Sequence, residues 1–432
     1  MPSLQEIISA IHHPRYGGLP THYPALAAWG PAGNFSPAAA LRGARGKKRP
    51  LGVYAHIPYC ATRCRFCFLD VAAARPGAPA LDAYAAALLA EAARLAPEAP
   101  APADNIYIGG GTPNLMGAPA LAGLVERLRK TFRLRRGGQV SMEANPDFFD
   151  APKLRALKAA GLNLILAGVQ SFDPALMRKM NRSQHSERLQ RAFGQMRDAG
   201  FDNINADLLC GLPGQDRKGF LRDVRLLAAI RPEHIHINRY KSGGTGPAEK
   251  AGAEALRREG MELLAAAGYA LCDEDSASLA PERMNAQGDP DFQLEAHIVG
   301  VGAGALSHAW GAARWQSIME PAAYAAAAAA GRPTAFRAAR LTPADELEHW
   351  LINRLLRPLP VTRRQAAARF GAALLPVFGA RMAALAAAGA VEETERGVYA
   401  ARPGRWFEIT AGLYGRKYLA AVASGLAAGG AR

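Results

Sequence analysis

The 432-residue chain reads as an α/β protein of repeated βα units with a small C-terminal helical, winged-helix-like domain. Three observations predict this. From residue 51 onward, short apolar runs alternate with longer amphipathic segments. The short runs number at least six, and their composition suits parallel strands buried on both faces. After about residue 340 the texture changes to helices followed by two short strands around Arg396-Gly397. Repeated βα units form either an open doubly wound sheet or a barrel. The pattern alone does not separate the two.

Residues 1–50 are rich in Pro, Gly and Ala and read as an N-terminal extension with one short helix at 3–12. The core region, 51–245, holds strand patterns at 52–58, 105–110, 139–144, 162–169, 203–209 and 234–240. Helical patterns lie between them at 82–96, 118–131, 151–160, 185–199 and 217–229. Residues 246–340 read as completion of this core and a linker. They contain one more strand and turn, "HIVGVGAGALSHAW", whose glycines permit close backbone approach. In the accessory domain, 341–432, Thr342 and Asp345 are spaced as a helix-capping pair. Further helices are expected at 361–369 and 372–388.

No apolar, charge-free run approaches the roughly 18 residues that a membrane-spanning helix needs. The start, "MPSLQEIISAIHHPRYGG", lacks the basic and apolar regions of a signal peptide, so the expected location is cytoplasmic. The net charge is +15. It suits an anionic substrate or a peripheral contact with an anionic membrane. No aromatic-studded basic motif of an RNA-binding module is present, so nucleic acid is not an expected partner.

Five cysteines are too few for a secreted disulfide scaffold, yet three crowd into "HIPYCATRCRFCFLD". Cys60, Cys64 and Cys67 would share one face if the stretch were helical, and could then be small core residues. Pro58 and the polar "ATR" oppose that. Zinc wants four ligands, and His56 is a fourth candidate, although it lies inside a strand pattern. An iron–sulfur cluster is the third reading. Thiolates hold such clusters, usually four per [4Fe–4S], and three would leave one iron open.

The C-x3-C-x2-C spacing, with Phe66 before the last cysteine, resembles the signature of the radical S-adenosylmethionine (SAM) enzymes. "VYAHIPYCATRCRFC" is similar to the branch containing the oxygen-independent coproporphyrinogen III oxidases. "IYIGGGTPNL", "SMEANPD", "LAGVQSFDPALMRKMNRSQ", "INADLLCGLPGQ" and "VGVGAGALSH" agree in order and spacing. The resemblance implies a partial (β/α)6 TIM-like barrel with a small accessory domain. It implies a [4Fe–4S] cluster on Cys60, Cys64 and Cys67 and SAM bound at the open iron, with room for two SAM molecules. An electron donor such as flavodoxin or ferredoxin and a small-molecule substrate complete the expected partners.

By resemblance, Gly110, Gly111 and Thr112 lie along the methionine end of SAM. Glu143, Gln170, Arg182 and Asp207 line SAM or substrate, and Glu143, Gln170 and Asp207 are the catalytic candidates. Tyr54, Phe66, Lys241 and Leu306 match positions around the nucleoside, although "NRYKSGG" departs from the family's local pattern. Tyr54 and Leu306 also read as core residues. A buried aspartate at 207 would be costly unless paired. Cys210 reads as core and Cys272 as structural. His234 and His236 face one side of a strand, and Trp406 and Tyr414 read as packing residues.

Two departures bear on the reaction. Coproporphyrinogen oxidases carry a further cysteine two residues after the third, where this chain has Leu69. The related haem chaperones carry a His-Asn-x-x-Tyr-Trp stretch where this chain reads "DFQLEAHIVGVGAG". The expectation from these departures is a position nearer the two-SAM methyltransferase-type members. The reaction would be methyl or methylene transfer to an sp2 carbon of a quinone, tetrapyrrole or other conjugated ring. Anaerobic oxidation and decarboxylation of coproporphyrinogen III, or other haem chemistry, is the alternative. A non-catalytic haem-binding chaperone is the third.

Overall fold

The computed structural model describes residues 2–11, 23–46, 48–184, 186–240, 247–357, 359–394 and 396–427. Chain contacts divide it into two compact units. One comprises 48–306 with 317–334, and the other 1–47 with 307–316 and 335–432.

The first unit is built on strands β1 (Leu51–Ile57), β2 (Asn105–Gly110), β3 (Gln139–Ala144), β4 (Leu164–Gln170), β5 (Ile204–Cys210), β6 (His234–Arg239) and β7 (His297–Val301). They are ordered β7-β1-β2-β3-β4-β5-β6, and every one of these pairings is parallel. The intervening helices are α1 (Pro79–Leu95), α2 (Ala118–Thr131), α3 (Ala151–Ala160), α4 (Pro174–Lys179), α5 (Ser186–Asp198) and α6 (Arg217–Ile230). Short antiparallel strands Ser276–Ser278 and Ala270–Leu271 extend the β6 edge. A further helix, α7 (Pro247–Ala266), occupies the stretch read from sequence as a linker.

Alternation along the strands explains why they were legible. One face carries Val53, Ile106, Ile108, Val140, Met142, Ile165, Ile204, Ile235 and Ile237, all fully buried. The other face mixes polar groups with leucines such as Leu164 and Leu166. Register places Tyr54 beside Tyr107, Tyr107 beside Ser141, Gly168 beside Asp207 and Asp207 beside His236. The first face is fully buried, whereas Tyr54, Tyr107, Gly168, Asp207 and His236 on the second are only partly buried, so the expected burial on both faces holds for one of them.

The N-terminal ends of the strands are tied by polar groups from 283–287. The Gln287 amide donates to the Val53 carbonyl (2.8 Å) and to Asn105 Oδ1 (2.6 Å). Gln139 Nε2 donates to the Met284 carbonyl (2.9 Å) and its Oε1 accepts from Ala286 N (2.8 Å). Asn203 Nδ2 donates to the Arg283 carbonyl at 2.9 Å. His234 belongs to this floor, bridged between Asn203 Oδ1 (2.7 Å) and Ser278 Oγ (2.8 Å). It is a satisfied core histidine. The C-terminal strand ends stay open, where parallel α/β sheets place ligands.

The second unit holds helices Pro343–Leu356, Arg363–Phe370 and Leu375–Ala387, then a three-stranded sheet ordered Val361–Thr362, Val398–Ala401, Val391–Glu393. Thr342 and Asp345 form the expected capping box. The N-terminal segment belongs to this unit. Leu4–Ile11 is helical, and Gly30–Pro31 pairs antiparallel with Arg337 and Ala338. Buried Tyr23 donates to Glu348, which also accepts from Arg381 Nε at 2.9 Å. Tyr414 is buried against Tyr23, whereas Trp406 is 41% exposed and so is not a core residue.

Candidate functional site

A cavity of about 270 Å³ opens at the C-terminal ends of the strands of the first unit. One wall is the loop after β1, which carries Cys60, Cys64, Phe66 and Cys67. The other walls bring Gly110, Gly111 and Thr112 from the end of β2, Glu143 from β3, Gln170 from β4, Arg182 from the loop after α4, and Asp207 from β5. Residues more than a hundred positions apart meet because parallel strands all deliver their C-termini to one side.

The cysteine loop is not helical apart from turns, so the shared-helix-face reading of the three cysteines is not what the chain does. Its anchors are specific. Arg65 N donates to the Met180 carbonyl (3.0 Å), and Asn181 Nδ2 donates to the Arg63 carbonyl (2.9 Å). Phe66 packs against the buried cluster of Leu176, Met177, Met180, Leu209 and Leu212. All three thiols are free and half-buried. Cys60 Sγ lies 3.3 Å from Thr112 Oγ1. Burial pushes the Cys60 and Cys67 thiols up, the Thr112 contact opposing this at Cys60. Binding of a metal centre would therefore release protons.

Among the described residues no three Cys, His, Asp or Glu side chains converge as a single-ion site. The cysteines share a cavity without converging on one point, an arrangement that suits a polynuclear cluster in which each thiolate binds a different iron. His56, the fourth zinc candidate, is engaged elsewhere. Its Nδ1 lies 2.6 Å from Tyr54 Oη, and burial lowers its pKa to about 4.

The glycines are required by contact as well as by backbone shape. Gly110 has φ +111°, and a Cβ there would lie 2.8 Å from the His56 ring. A Cβ on Gly111 would lie 2.4 Å from the Tyr59 carbonyl oxygen. Gly111 N and Thr112 N donate to the Ile57 and Tyr59 carbonyls, both at 2.7 Å, which ties the β2 end to the start of the cysteine loop.

Glu143 accepts from Tyr107 Oη and from Gly110 N (2.9 Å). Burial raises its carboxyl to about 7, with the nearby Asp207 adding to the shift and the two hydrogen bonds opposing it. Burial also raises Asp207, against the pull of His236 and Arg182. These paired environments are what a site handling protons near neutrality needs. Arg182 Nη2 donates to the Gly168 carbonyl (2.5 Å) and its Nε to Gln184 Oε1 (2.8 Å).

Tyr54 and Leu306 do not line this cavity. The Tyr54 ring lies tilted against Tyr107, centroids 5.8 Å apart, and Leu306 begins the strand Leu306–Ala309. Lys241 lies outside the described residues. Cys210 is buried in the core, but Cys272 is exposed, its Sγ only near the Ala270 carbonyl (3.6 Å), so a structural role does not fit it. Sequence reasoning missed Tyr107 and Gln184. Both stand in family-like strings, Tyr107 in "IYIGGGTPNL" and Gln184 at the end of "LAGVQSFDPALMRKMNRSQ", but neither string shows the contact its residue makes.

Residues 54–227 match the family model of the radical SAM superfamily. A Synechocystis protein named oxygen-independent coproporphyrinogen III oxidase is 33% identical over 193 residues, covering 44% of this chain and 41% of the relative. The chain thus spans less than half the length of that relative. A Mycobacterium tuberculosis protein named heme chaperone HemW is 31% identical over 292 residues, covering 64% of this chain and 74% of the relative. The structure of Escherichia coli coproporphyrinogen III oxidase (HemN), a radical SAM enzyme, shares the fold with a TM-score of 0.76 at 23% identity, covering 91% of this chain and 96% of that one. These relatives are oxidases and haem chaperones, and they do not support the expected position nearer the methyltransferase-type members. No described helix is long and apolar enough to cross a membrane. The chain belongs to the radical SAM superfamily, among the relatives of the oxygen-independent coproporphyrinogen III oxidase HemN and of HemW, whose cofactors are a [4Fe–4S] cluster and SAM.

Proposed function

We propose that the chain is an enzyme that abstracts hydrogen from a tetrapyrrole of the porphyrinogen or haem type. The observation that carries this reading is the one cavity with three thiols on one wall and Glu143, Asp207, Gln170 and Arg182 on the others. The relatives supply the substrate class, since their names join coproporphyrinogen III and haem. Leu69 stands where the oxidases carry a further cysteine, so the tetrapyrrole need not be coproporphyrinogen III itself.

Cys60, Cys64 and Cys67 would hold the cluster, which when bound and reduced would supply the electron for radical chemistry with SAM. The chain's own residues position and shield. Gly110 and Gly111 let the end of β2 close against His56 and Tyr59, which holds the cysteine loop at the cavity wall. Glu143, with a pKa near neutrality, holds or accepts a proton at Oε1 or Oε2. Arg182 and Arg63 place positive charge on the cavity wall, which suits a carboxylate-bearing ring.

The test is anaerobic incubation of the reconstituted, reduced protein with SAM and either coproporphyrinogen III or haem. The expected result is substrate-dependent 5′-deoxyadenosine together with a change in the tetrapyrrole spectrum. S-adenosylhomocysteine formed in step with it would return the reaction to methyl transfer. Stoichiometric haem binding with neither product would make the chain a chaperone.

A further inference from the structure

Gln170 has a backbone conformation that the proposed chemistry does not explain. Its φ is +66°, and Ser171 N donates to the Val169 carbonyl across it at 2.8 Å. A hydrogen bond spanning one residue of positive φ is the rarer, strained hand of the γ-turn. The pairing with β5 slips at the same place, Gly168 lying beside Asp207 and Gln170 beside Leu208. Strain of this kind persists only where the surroundings over-determine it.

Gln184 supplies that determination. It is 3% exposed. Its side-chain amide donates to the carbonyls of Val169 and Ser171, the residues on either side of Gln170, the latter at 2.7 Å. Its Oε1 accepts from Arg182 Nε (2.8 Å), while Arg182 Nη2 reaches the Gly168 carbonyl (2.5 Å). From the far side Asp223, 1% exposed, accepts from Ser171 Oγ (2.5 Å) and Phe172 N (3.1 Å). A carboxamide of this reach is the one side chain that offers two donors to carbonyls and one acceptor to a guanidinium. Glutamate lacks the donors, and lysine and arginine lack the acceptor.

We infer that Gln184 is a positioning residue that locks the turn at Gln170 and the guanidinium of Arg182 into one rigid piece. Both side chains are then set on the cavity wall before a ligand arrives. Preorganisation of this kind lowers the cost of binding. The inference rests on the reading that Gln170 and Arg182 contact SAM or substrate. Its structural half does not depend on that reading.

The experiment uses Gln184→Met, close in volume and without polar groups, and Gln184→Glu, which keeps the acceptor and loses the donors. Iron and sulfide content is measured first and is expected to equal wild type. SAM affinity of the cluster-loaded protein, by anaerobic equilibrium dialysis, is expected to fall by about tenfold or more in Gln184→Met. Hydrogen exchange of the cluster-free protein is expected to accelerate in the peptide 164–172 and not in 139–144. SAM affinity and exchange both within twofold of wild type would overturn the inference. If Gln184→Met does not fold, the same two readouts on Gln184→Glu decide. If the wild-type loaded protein itself fails to bind SAM, the functional reading is what fails, and exchange at 164–172 alone decides whether Gln184 holds the turn.

Discussion

Glu143 makes stability depend on pH in a direction opposite to that of most carboxylates. Its pKa rises from an ordinary 4.5 to about 7, chiefly by burial. The folded chain therefore binds a proton more tightly than the unfolded chain. This contribution is fully present below about pH 4.5 and is lost as pH climbs through 7. The whole span is worth about 3 kcal/mol. The carboxyl is partly open to the cavity, where solvent screening reduces this by roughly half. Glu143→Gln keeps the shape of the protonated acid and cannot ionise. Cluster-free wild type and variant should thus unfold alike in urea at pH 5. At pH 8 the variant should be more stable by about 1–3 kcal/mol. A difference independent of pH would refute the reasoning, because loss of the Tyr107 and Gly110 contacts would then outweigh ionisation. The same substitution should impair turnover at pH 8 if the acid handles a proton there.

Other perturbations follow from single contacts. The triple variant Cys60→Ala, Cys64→Ala, Cys67→Ala should fold yet retain neither iron nor sulfide nor the brown absorbance, and retained iron and sulfide would refute the cluster assignment. Gly111→Ala forces a methyl group to within 2.4 Å of the Tyr59 carbonyl, the residue before Cys60. It should cost about 2 kcal/mol or more in urea unfolding and lower iron per chain. Gly117→Ala, whose Cβ meets nothing nearer than 4.0 Å, should do neither. Glu91 is 2% exposed and accepts from Tyr324 Oη, Thr334 Oγ1 and Gly302 N (3.1 Å). Glu91→Ala leaves those donors buried without it and should destabilise the first unit by about 3–5 kcal/mol, which differential scanning calorimetry would read.

What was legible in the sequence follows how local each determinant is. The βα units announced themselves because one strand face is apolar throughout, from Val53 to Ile237. The cysteine loop announced itself by spacing. The choice between sheet and barrel rests on contacts that no window contains. Gln287 reaches Val53 and Asn105 across 234 and 182 residues. The polar groups of the second strand face do not show in a reading of the strands as apolar runs buried on both faces. Helix α7, Pro247–Ala266, was not read from the sequence, although its faces are separated no less than those of α1 and α3. The two-residue strand Gly30–Pro31 has no pattern to find, since its partners Arg337 and Ala338 lie some three hundred positions away. The same distinction runs through the site. Tyr107 and Gln184 stand in the same recognisable strings as the ligand-facing residues, but their contacts to Glu143 and to the turn at Gln170 exist only in the folded chain. A motif thus names the atoms that meet a ligand, and their proton affinity and backbone strain come from neighbours that only the folded chain assembles.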